Sequence, residues 1–290
     1  TLWVKLIQNR VETGEPYIMF EDTINEALPE FQKALGLKVH QSNLCSEITL
    51  PTDDTRTAVC CLSSVNLEKF DEWSSSETFI PDLIRMLDNV IEYFINNAPD
   101  ELARARFSAS QERSLGLGAM GFHAYLQKRG IPFESAMAKS FNLRAFAHIK
   151  NEASRATREL AEERGECPDS KWAGGGVRNA HLLAVAPNAS SSIICGNTSP
   201  SIEPYRANAF TQKTKTGSAL LKNPFLEKLL EEKGENTEEV WKTIITNNGS
   251  VQHLECLTDY EKDTFKTAVE LDQRWVVEHA ADRQEHICQA

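Results

Sequence analysis

The residues best suited to chemistry, Asn43, Cys45 and Glu47, lie in a short polar segment at residues 42–52. If the backbone there is extended, alternate side chains point the same way and these three share one face. A thiol flanked by a carboxylate and an amide suits radical chemistry on a sugar, in which the thiyl abstracts hydrogen, the carboxylate takes a hydroxyl proton and the amide orients the hydroxyl. An equally open alternative is that Asn43 and Glu47 merely satisfy loop backbone groups around a buried Cys45.

Two adjacent cysteines lie in the β-branched, apolar run at residues 57–67, which predicts a buried strand. Successive strand residues point to opposite faces, so only one of Cys60 and Cys61 can enter a site. A disulfide between such neighbours would be strained. The pattern therefore predicts one candidate reductant thiol and one packing thiol.

A serine-rich segment, Pro-Asn-Ala-Ser-Ser-Ser at residues 187–192, follows an apolar run at 181–186 that predicts a strand. Serine hydroxyls and backbone N–H groups at the start of a helix can form an anion site without lysine, which fits a nucleotide diphosphate. The Gly-Lys-Ser/Thr ending of a P-loop is absent. A serine-rich helix cap without a ligand explains the same residues.

Strand-like and helical segments alternate along the chain, which predicts an α/β fold with largely parallel strands. The pattern predicts helices at residues 1–12, 23–35, 78–97 and 135–164, and mostly helical structure from 218 onward. Strands are predicted at 17–20, 57–67 and 181–186, a strand–turn–helix unit at 113–128, and a long loop at 36–52. The candidate residues thus belong to a loop and to strand ends.

The net charge of −11, from 42 acidic and 31 basic residues, disfavours a nonspecific surface for nucleic acid or anionic membranes. No apolar run reaches the ~18 residues that span a bilayer, and the first residues lack the order of a signal peptide, so we expect a cytoplasmic protein. The seven cysteines show no disulfide framework and are expected as thiols. Each cysteine is therefore a candidate for chemistry or for packing.

Two weaker patterns favour structural interpretations. Gly116, Gly118 and Gly121 match the dinucleotide fingerprint as a bare string, but no acidic residue closes a βαβ unit about 20 residues later, so close strand–helix packing is preferred. The segments 253–256 and 285–288 contain His, Glu and Cys, yet no Cys-x-x-Cys supports a zinc site. No metal site is predicted.

Four landmarks, in the expected order, resemble the large, catalytic alpha subunit of class I ribonucleotide reductases of the phage or bacterial type. They are Asn-x-Cys-x-Glu within SNLCSEITLPT, Cys-x-Leu-Ser-x-x-Asn-Leu at 60–67, Arg-x-Leu-Gly-x-Gly at 113–118, and PNASSSIICGNTSPSIEP. The resemblance covers essentially the whole chain. It implies an α/β fold that is part of the family's ten-stranded α/β barrel, with a finger loop inserted at its centre. Residues 1–290 would be a single catalytic portion, internal to or split from the subunit, without its N-terminal effector region and extreme C-terminus.

The resemblance also implies catalytic roles in the radical-based reduction of ribonucleoside diphosphates to deoxyribonucleoside diphosphates. Cys45 would carry the transient thiyl radical that removes the ribose 3′ hydrogen, Glu47 would be the base at the 3′ hydroxyl, and Asn43 a hydrogen-bonding support. Cys60 matches one member of the reducing dithiol, whose partner is expected upstream of residue 1, and Cys61 is assigned to packing. Substrate binding is implied for Ser42, Asn188, Ala189, Ser190 and Ser191, the last four at the diphosphate.

No cofactor is expected directly on this chain. The resemblance implies a radical supplied by a metal-containing small subunit, thioredoxin or glutaredoxin as reductant, the remaining large-subunit segments as partners, and an oligomeric assembly. ATP and deoxynucleotide effectors would bind elsewhere in the full subunit.

Two other interpretations of the sequence stay open. Cys45 could be an ionised nucleophile of a transferase or hydrolase, for which His40 is the nearby candidate base. Alternatively, the chain is a non-catalytic fragment that only completes a larger assembly. Adding the missing segments distinguishes these interpretations.

Overall fold

Two short parallel strands, with helices packed against them, form the centre of the fold. The computed structural model describes residues 1–214 and 217–289. The helices are α1 (Leu2–Thr13), α2 (Glu21–Glu26), α3 (Glu30–Ala34), α4 (Phe70–Trp73), α5 (Phe79–Asn97), α6 (Ala103–Glu112), α7 (Phe122–Lys128), α8 (Ala136–Arg164), α9 (Pro168–Trp172), α10 (Ser191–Ile194), α11 (Pro224–Glu232), α12 (Glu238–Thr246), α13 (Asp259–Thr264) and α14 (Gln273–Gln284). The strands are β1 (Cys61–Asn66), β2 (Leu115–Met120), β3 (Ala209–Thr214) and β4 (Gly217–Lys222).

The pairing of β1 with β2 is parallel, as predicted, and runs from Cys61 opposite Leu115 to Asn66 opposite Met120. On the other side of β2, the Leu115 N–H donates to the His181 carbonyl at 2.8 Å. The predicted strand at 181–186 is less regular than expected, because its pairing with β2 is a single isolated parallel bridge at residue 183. Three chain segments thus lie side by side in one direction.

Helix α5 packs against both strands of this sheet, and α8 packs against α5. The buried residues of α5 include Ile80, Ile84, Leu87 and Ile91, which follow the spacing of three and four that predicted the helix. Helix α8 begins where the Ser135 side chain accepts from the Ala138 N–H, and it runs for 29 residues. The predicted helices at 78–97 and 135–164 are confirmed. No helix in the described part of the chain combines the length and apolarity needed to cross a bilayer.

A buried charge cluster fixes the start of β2. Arg113, in the left-handed conformation after α6, donates from Nε to Asp88 Oδ1 of α5 at 2.9 Å. The guanidinium groups of Arg164 and Arg178 lie 3.0 and 3.4 Å from the same carboxylate. Burial alone would raise the pKa of Asp88, but the charges of Arg113 and Arg178, with hydrogen bonds from Arg113 and Asn179, outweigh burial and hold the pKa below its usual value. The arginine of the Arg-x-Leu-Gly-x-Gly motif therefore anchors the strand.

The glycines of the same motif permit close packing on the other face of the sheet. A Cβ at Gly116 would lie 2.5 Å from Leu62 Cδ2 and 2.8 Å from Cys60 Sγ. A Cβ at Gly118 would lie 2.5 Å from the Ala184 carbonyl oxygen. The geometry supports the packing interpretation of the glycine string, since its glycines face neighbouring protein atoms.

The C-terminal part adds a small helical cluster and a hairpin. Strands β3 and β4 pair antiparallel, and Leu226, Leu230, Trp241 and Ile244 form the centre of a second apolar cluster. The mostly helical prediction from 218 onward holds for α11–α14. It missed the hairpin, which extends to residue 222.

Two predictions near the N-terminus are wrong. Residues 17–20 form no strand. The loop predicted at 36–52, in contrast, is confirmed, since it contains no helix or strand. The single helix predicted at 23–35 is instead the pair α2 and α3, separated at Pro29. Proline disfavours helical backbone at the preceding residue and supplies no N–H, so it ends one helix and precedes the next.

Alanine at two left-handed glycines separates backbone strain from steric overlap. Gly121 (φ 79°) and Gly130 (φ 62°) share this conformation, but only a Cβ at Gly121 meets close neighbours, with Asn66 Oδ1 foremost. We expect Gly130→Ala to lower the free energy of unfolding by about 1–2 kcal/mol. Gly121→Ala should lower it by about 1–3 kcal/mol more because of overpacking. Urea unfolding measures both, and equal losses would contradict the packing interpretation.

Candidate functional site

The loop that carries the candidate thiol bends back on itself. The Ser46 N–H donates to the Asn43 carbonyl at 3.0 Å, and Ser46 has a φ of 66°. This hydrogen bond and the left-handed backbone of Ser46 form a turn. The prediction that this segment is extended is therefore wrong. Asn43 Oδ1 accepts from the Ile48 N–H at 3.1 Å, and Ser42 Oγ donates to the Ile48 carbonyl at 2.7 Å. Ser42 and Asn43 thus close the loop, as the structural alternative for Asn43 expected.

Cys45 and Glu47 nevertheless line one cavity of about 180 Å³. Cys45 is exposed at the tip of the turn, contrary to the alternative that buries it. Glu47 is buried, and its Oε2 has no hydrogen-bond partner among the described residues. A buried carboxylate oxygen without a donor is costly, so this atom is placed to accept from a group that enters the cavity.

A buried cation, which the sequence analysis missed, lines the same cavity. The Arg283 guanidinium donates to Asn142 Oδ1 at 3.0 Å and lies 5.6 Å from the centre of the Phe146 ring. Burial lowers the pKa of Arg283 to about 9. No local pattern indicates this residue, because α14 reaches the Cys45 loop only through the tertiary fold.

Cys60 and Cys61 point into different apolar clusters, as predicted from the strand. Cys60, immediately before β1, packs beside Ile48, Leu50 and Ala184, and burial raises its pKa to about 12. Cys61 packs against the main core. Cys60 is therefore on the side of the sheet that faces the Cys45 loop.

The serine-rich loop lies where the sequence placed it, at the start of a helix. Asn188 has a φ of 54°, and its Nδ2 donates to Ser64 Oγ of β1 at 2.9 Å. Ala189, Ser190 and Ser191 are exposed, but α10 is only four residues long. Asn188 therefore fixes the loop to the strand and leaves the next three residues accessible to a ligand.

A second cysteine environment went unnoticed in the sequence. Cys288 Sγ accepts from the Leu182 and Leu183 N–H groups, both at 3.0 Å. Burial would raise the pKa of Cys288, but hydrogen bonding and charge from His181 outweigh burial and lower the pKa to about 7. His181 in turn lies 2.8 Å from Gln32 Oε1 through Nε2. The spacing of 107 residues between His181 and Cys288 gave no signal.

The remaining candidate ligands have other partners. His40 Nδ1 lies 3.5 Å from Glu21 Oε1, and His253 Nε2 lies 2.8 Å from Thr243 Oγ1. Within residues 1–214 and 217–289, no group of three or more His, Cys, Asp or Glu side chains is arranged to hold a metal ion. The contact of His40 weakens its candidacy as the base for Cys45.

Comparisons with known proteins agree with the resemblance seen in the sequence. The family model described as "Ribonucleotide reductase, barrel domain" matches residues 1–175 and 169–290. The ribonucleoside-diphosphate reductase large subunit of Invertebrate iridescent virus 3 is 52% identical over 292 residues, covering 100% of this chain and 46% of the relative. The large subunit from Danio rerio is 33% identical over 324 residues, covering 100% and 40%.

A solved structure shows the same fold. The Actinobacillus ureae class Id ribonucleotide reductase alpha subunit matches with a TM-score of 0.93 and 45% identity, covering 100% of this chain and 54% of that protein. The chain therefore spans about half the length of the viral large subunit and of this alpha subunit.

Thiol accessibility tests this arrangement without any assay of activity. At pH 7.5 we expect iodoacetamide to modify the exposed Cys45 and Cys195 before Cys60 and Cys167, because burial raises the pKa of each of the latter two to about 12. Only the thiolate reacts, so the slow pair should lag by at least about tenfold. Peptide mass spectrometry gives the rates, and Cys60 labelling as fast as Cys45 would contradict the structure.

Proposed function

Since the chain belongs to the ribonucleotide reductase family, through the barrel domain of the large subunit, we propose that it carries the thiyl-radical site of a ribonucleoside-diphosphate reductase. The observation that carries the proposal is that Cys45 and the buried Glu47 line one cavity. Residues 1–290 would form a single catalytic portion of the barrel. The proposed overall reaction converts a ribonucleoside diphosphate and a dithiol into a deoxyribonucleoside diphosphate, a disulfide and water.

Cys45 and Glu47 divide the first steps between them. The Cys45 thiyl takes the 3′ hydrogen atom of the ribose and becomes a thiol, while Glu47 accepts the 3′ hydroxyl proton. The unpartnered Oε2 of Glu47 suits this role, because no donor competes for it within the described residues. Asn43 Oδ1 already accepts from a loop N–H, so its Nδ2 is the group that would orient the sugar hydroxyl.

Cys60, on the side of the sheet that faces the Cys45 loop, would supply the reducing equivalents. The 2′ hydroxyl leaves with a proton as water, and the dithiol formed by Cys60 and a second thiol is oxidised to a disulfide. The 3′ hydrogen then returns from Cys45, which is again a thiyl. Cys60 packs beside Ile48, in the same loop as Cys45, which supports this division of roles.

The accessible serine-rich loop would hold the substrate diphosphate. Ala189, Ser190 and Ser191 are exposed and offer backbone N–H groups and hydroxyls, while the bond from Asn188 to Ser64 holds their position. Ser42 would contribute from the Cys45 loop. Charge neutralisation by lysine is not required for this mode of binding.

The proposed partners follow from the family. A metal-containing small subunit would generate the radical, thioredoxin or glutaredoxin would reduce the disulfide, and no cofactor would bind directly to this chain. The remaining large-subunit segments, an oligomeric assembly and a cytoplasmic location complete the proposal, with ATP and deoxynucleotide effectors bound elsewhere in the subunit.

The central test is deoxycytidine diphosphate formation by the chain combined with the remaining large-subunit segments, a radical-generating small subunit and a dithiol. Cys45→Ser should fold and bind substrate normally but lose activity by on the order of 10³-fold or more, since serine cannot carry the radical. The matched control, Cys256→Ser, alters a cysteine of the C-terminal cluster and should remain active. Substantial product from Cys45→Ser would refute the mechanism, and no product from the verified wild-type assembly would favour a non-catalytic fragment.

Replacement of the proposed reductant thiol should prevent repeated catalytic cycles. Cys60→Ser should stop steady-state turnover, because the dithiol cannot form the disulfide. Its neighbour provides the control: Cys61→Ser changes a packing thiol on the opposite face and should retain turnover within a few-fold. Rates are measured over many turnovers with excess reductant, and unchanged turnover in Cys60→Ser would show that another thiol is the reductant.

A further inference from the structure

One buried side-chain amide, that of Gln289, joins the Cys45 loop, Cys60 and strand β2. Its Oε1 accepts from the Thr49 N–H at 3.2 Å, two residues beyond Glu47 in the loop. Its Nε2 donates to the Leu115 carbonyl of β2 at 3.0 Å and lies 3.7 Å from Cys60 Sγ. The side chain is only 3% exposed.

These contacts leave the amide one orientation. Reversing it would place its N–H groups against the Thr49 N–H and its oxygen against the Leu115 carbonyl, so two bonds would become repulsions. The amide nitrogen must therefore face β2, and its second hydrogen is available to the Cys60 sulfur. Sulfur is a weak acceptor, so this contact directs the thiol more than it stabilises the fold.

The loop depends on this bond because it contains no regular secondary structure. Thr49 is buried, and its N–H must find a partner inside the protein. Without Gln289 that donor and the Leu115 carbonyl would each lose a hydrogen bond in a site closed to solvent. The amide thus fixes how far the loop lies from the strands.

We propose that Gln289 is a positioning residue that holds the Cys60 sulfur and the Cys45 loop in register with each other. This inference rests on the proposed function, in which Cys60 donates reducing equivalents at the site where Cys45 reacts. The amide does not touch the substrate. It sets the distance between the two reacting thiols and presents an N–H donor to one of them.

Electrostatics at Cys60 give the inference a readout besides activity. Burial is the main cause of the raised pKa of Cys60, and the Gln289 amide opposes it by donating to the sulfur. Removing the donor should therefore move the pH profile of Cys60 alkylation to higher pH. A purely structural role for Gln289 would have the opposite effect, because looser packing around the thiol would make alkylation faster at every pH.

The test compares Gln289→Met and Gln289→Glu in the complete reductase that contains this chain. Methionine keeps the length without the amide, so kcat should fall about tenfold at every pH, the equivalent of one hydrogen bond, with KM changed less than twofold. Glutamate keeps the size but can donate only when protonated. A buried carboxyl has a raised pKa, so the kcat loss in Gln289→Glu should shrink as the pH falls from 8.5 to 6.5, on the order of tenfold across that range.

Gln127→Met is the matched control, because Gln127 is another buried amide that links distant segments, through the Thr264 carbonyl and Asn223. It should lower the thermal midpoint to a similar extent while leaving kcat and the Cys60 alkylation profile unchanged. The inference is overturned if Gln289→Met keeps wild-type kcat, if Gln127→Met loses as much, or if the Glu and Met variants share one pH-independent loss.

Cys60→Ser separates this inference from the proposed function. If Cys60→Ser keeps full turnover, the reductant assignment fails and takes the role of Gln289 with it. If Cys60→Ser is inactive over many turnovers while Gln289→Met matches the wild type in kcat and alkylation profile, the reductant assignment stands and only the inference about Gln289 is overturned.

Discussion

The site depends on two glycines, Gly116 and Gly118, which leave one face of β2 free of side chains at these two positions. A Cβ at Gly116 would lie 2.8 Å from Cys60 Sγ, so the thiol occupies the volume that a side chain there would fill. At Gly118 the approaching group is the Ala184 carbonyl, which is backbone and cannot rotate away. Because the strands and the loop meet over these two glycines, Ile48 and Leu50 can pack beside Cys60 and bring the Cys45 turn to the sheet. A larger residue at either position would separate the Cys45 loop from the sheet and from Cys60.

The opposite face of the same strand packs into the main apolar core. Leu115, Leu117 and Ala119 alternate with the glycines and are fully buried against the helices. Burying each large apolar side chain is worth about 1.5–3 kcal/mol, whereas the glycine face contributes little apolar area. Arg113 fixes the point at which both faces begin. Its ion pair with Asp88 holds it in the left-handed conformation from which β2 starts. One six-residue strand thus separates a stabilising face from a reactive one.

Regular elements were predictable from sequence where a local period determined burial. The helices α5 and α8 follow from a repeat of 3.6 residues, and the opposite orientations of Cys60 and Cys61 follow from the repeat of 2. The parallel pair follows from the alternation of strand-like and helical segments. The Cys45 turn was not predictable, because it rests on a left-handed serine and on side-chain bonds from Ser42 and Asn43 that compete with an extended backbone. Arg283 and Gln289 were not predictable either, since their partners at the site are distant in sequence. Cys45 and Glu47 line one cavity, although the extended backbone from which their shared face was predicted is absent.

The bond between Gln289 and Thr49 spans 240 residues of chain, and this separation bears on how the protein folds. Contacts between distant residues form more readily after the intervening chain is ordered, because the entropy lost in closing a flexible loop increases with its length. The strand pair and the helices α5 and α8 rely on shorter separations and can form first. During synthesis the Cys45 loop therefore lacks its final tether until the segment after α14 has emerged. Cys45 then reaches its final setting only after residue 289 has been made, so shorter nascent copies would present a folded scaffold with an unassembled centre.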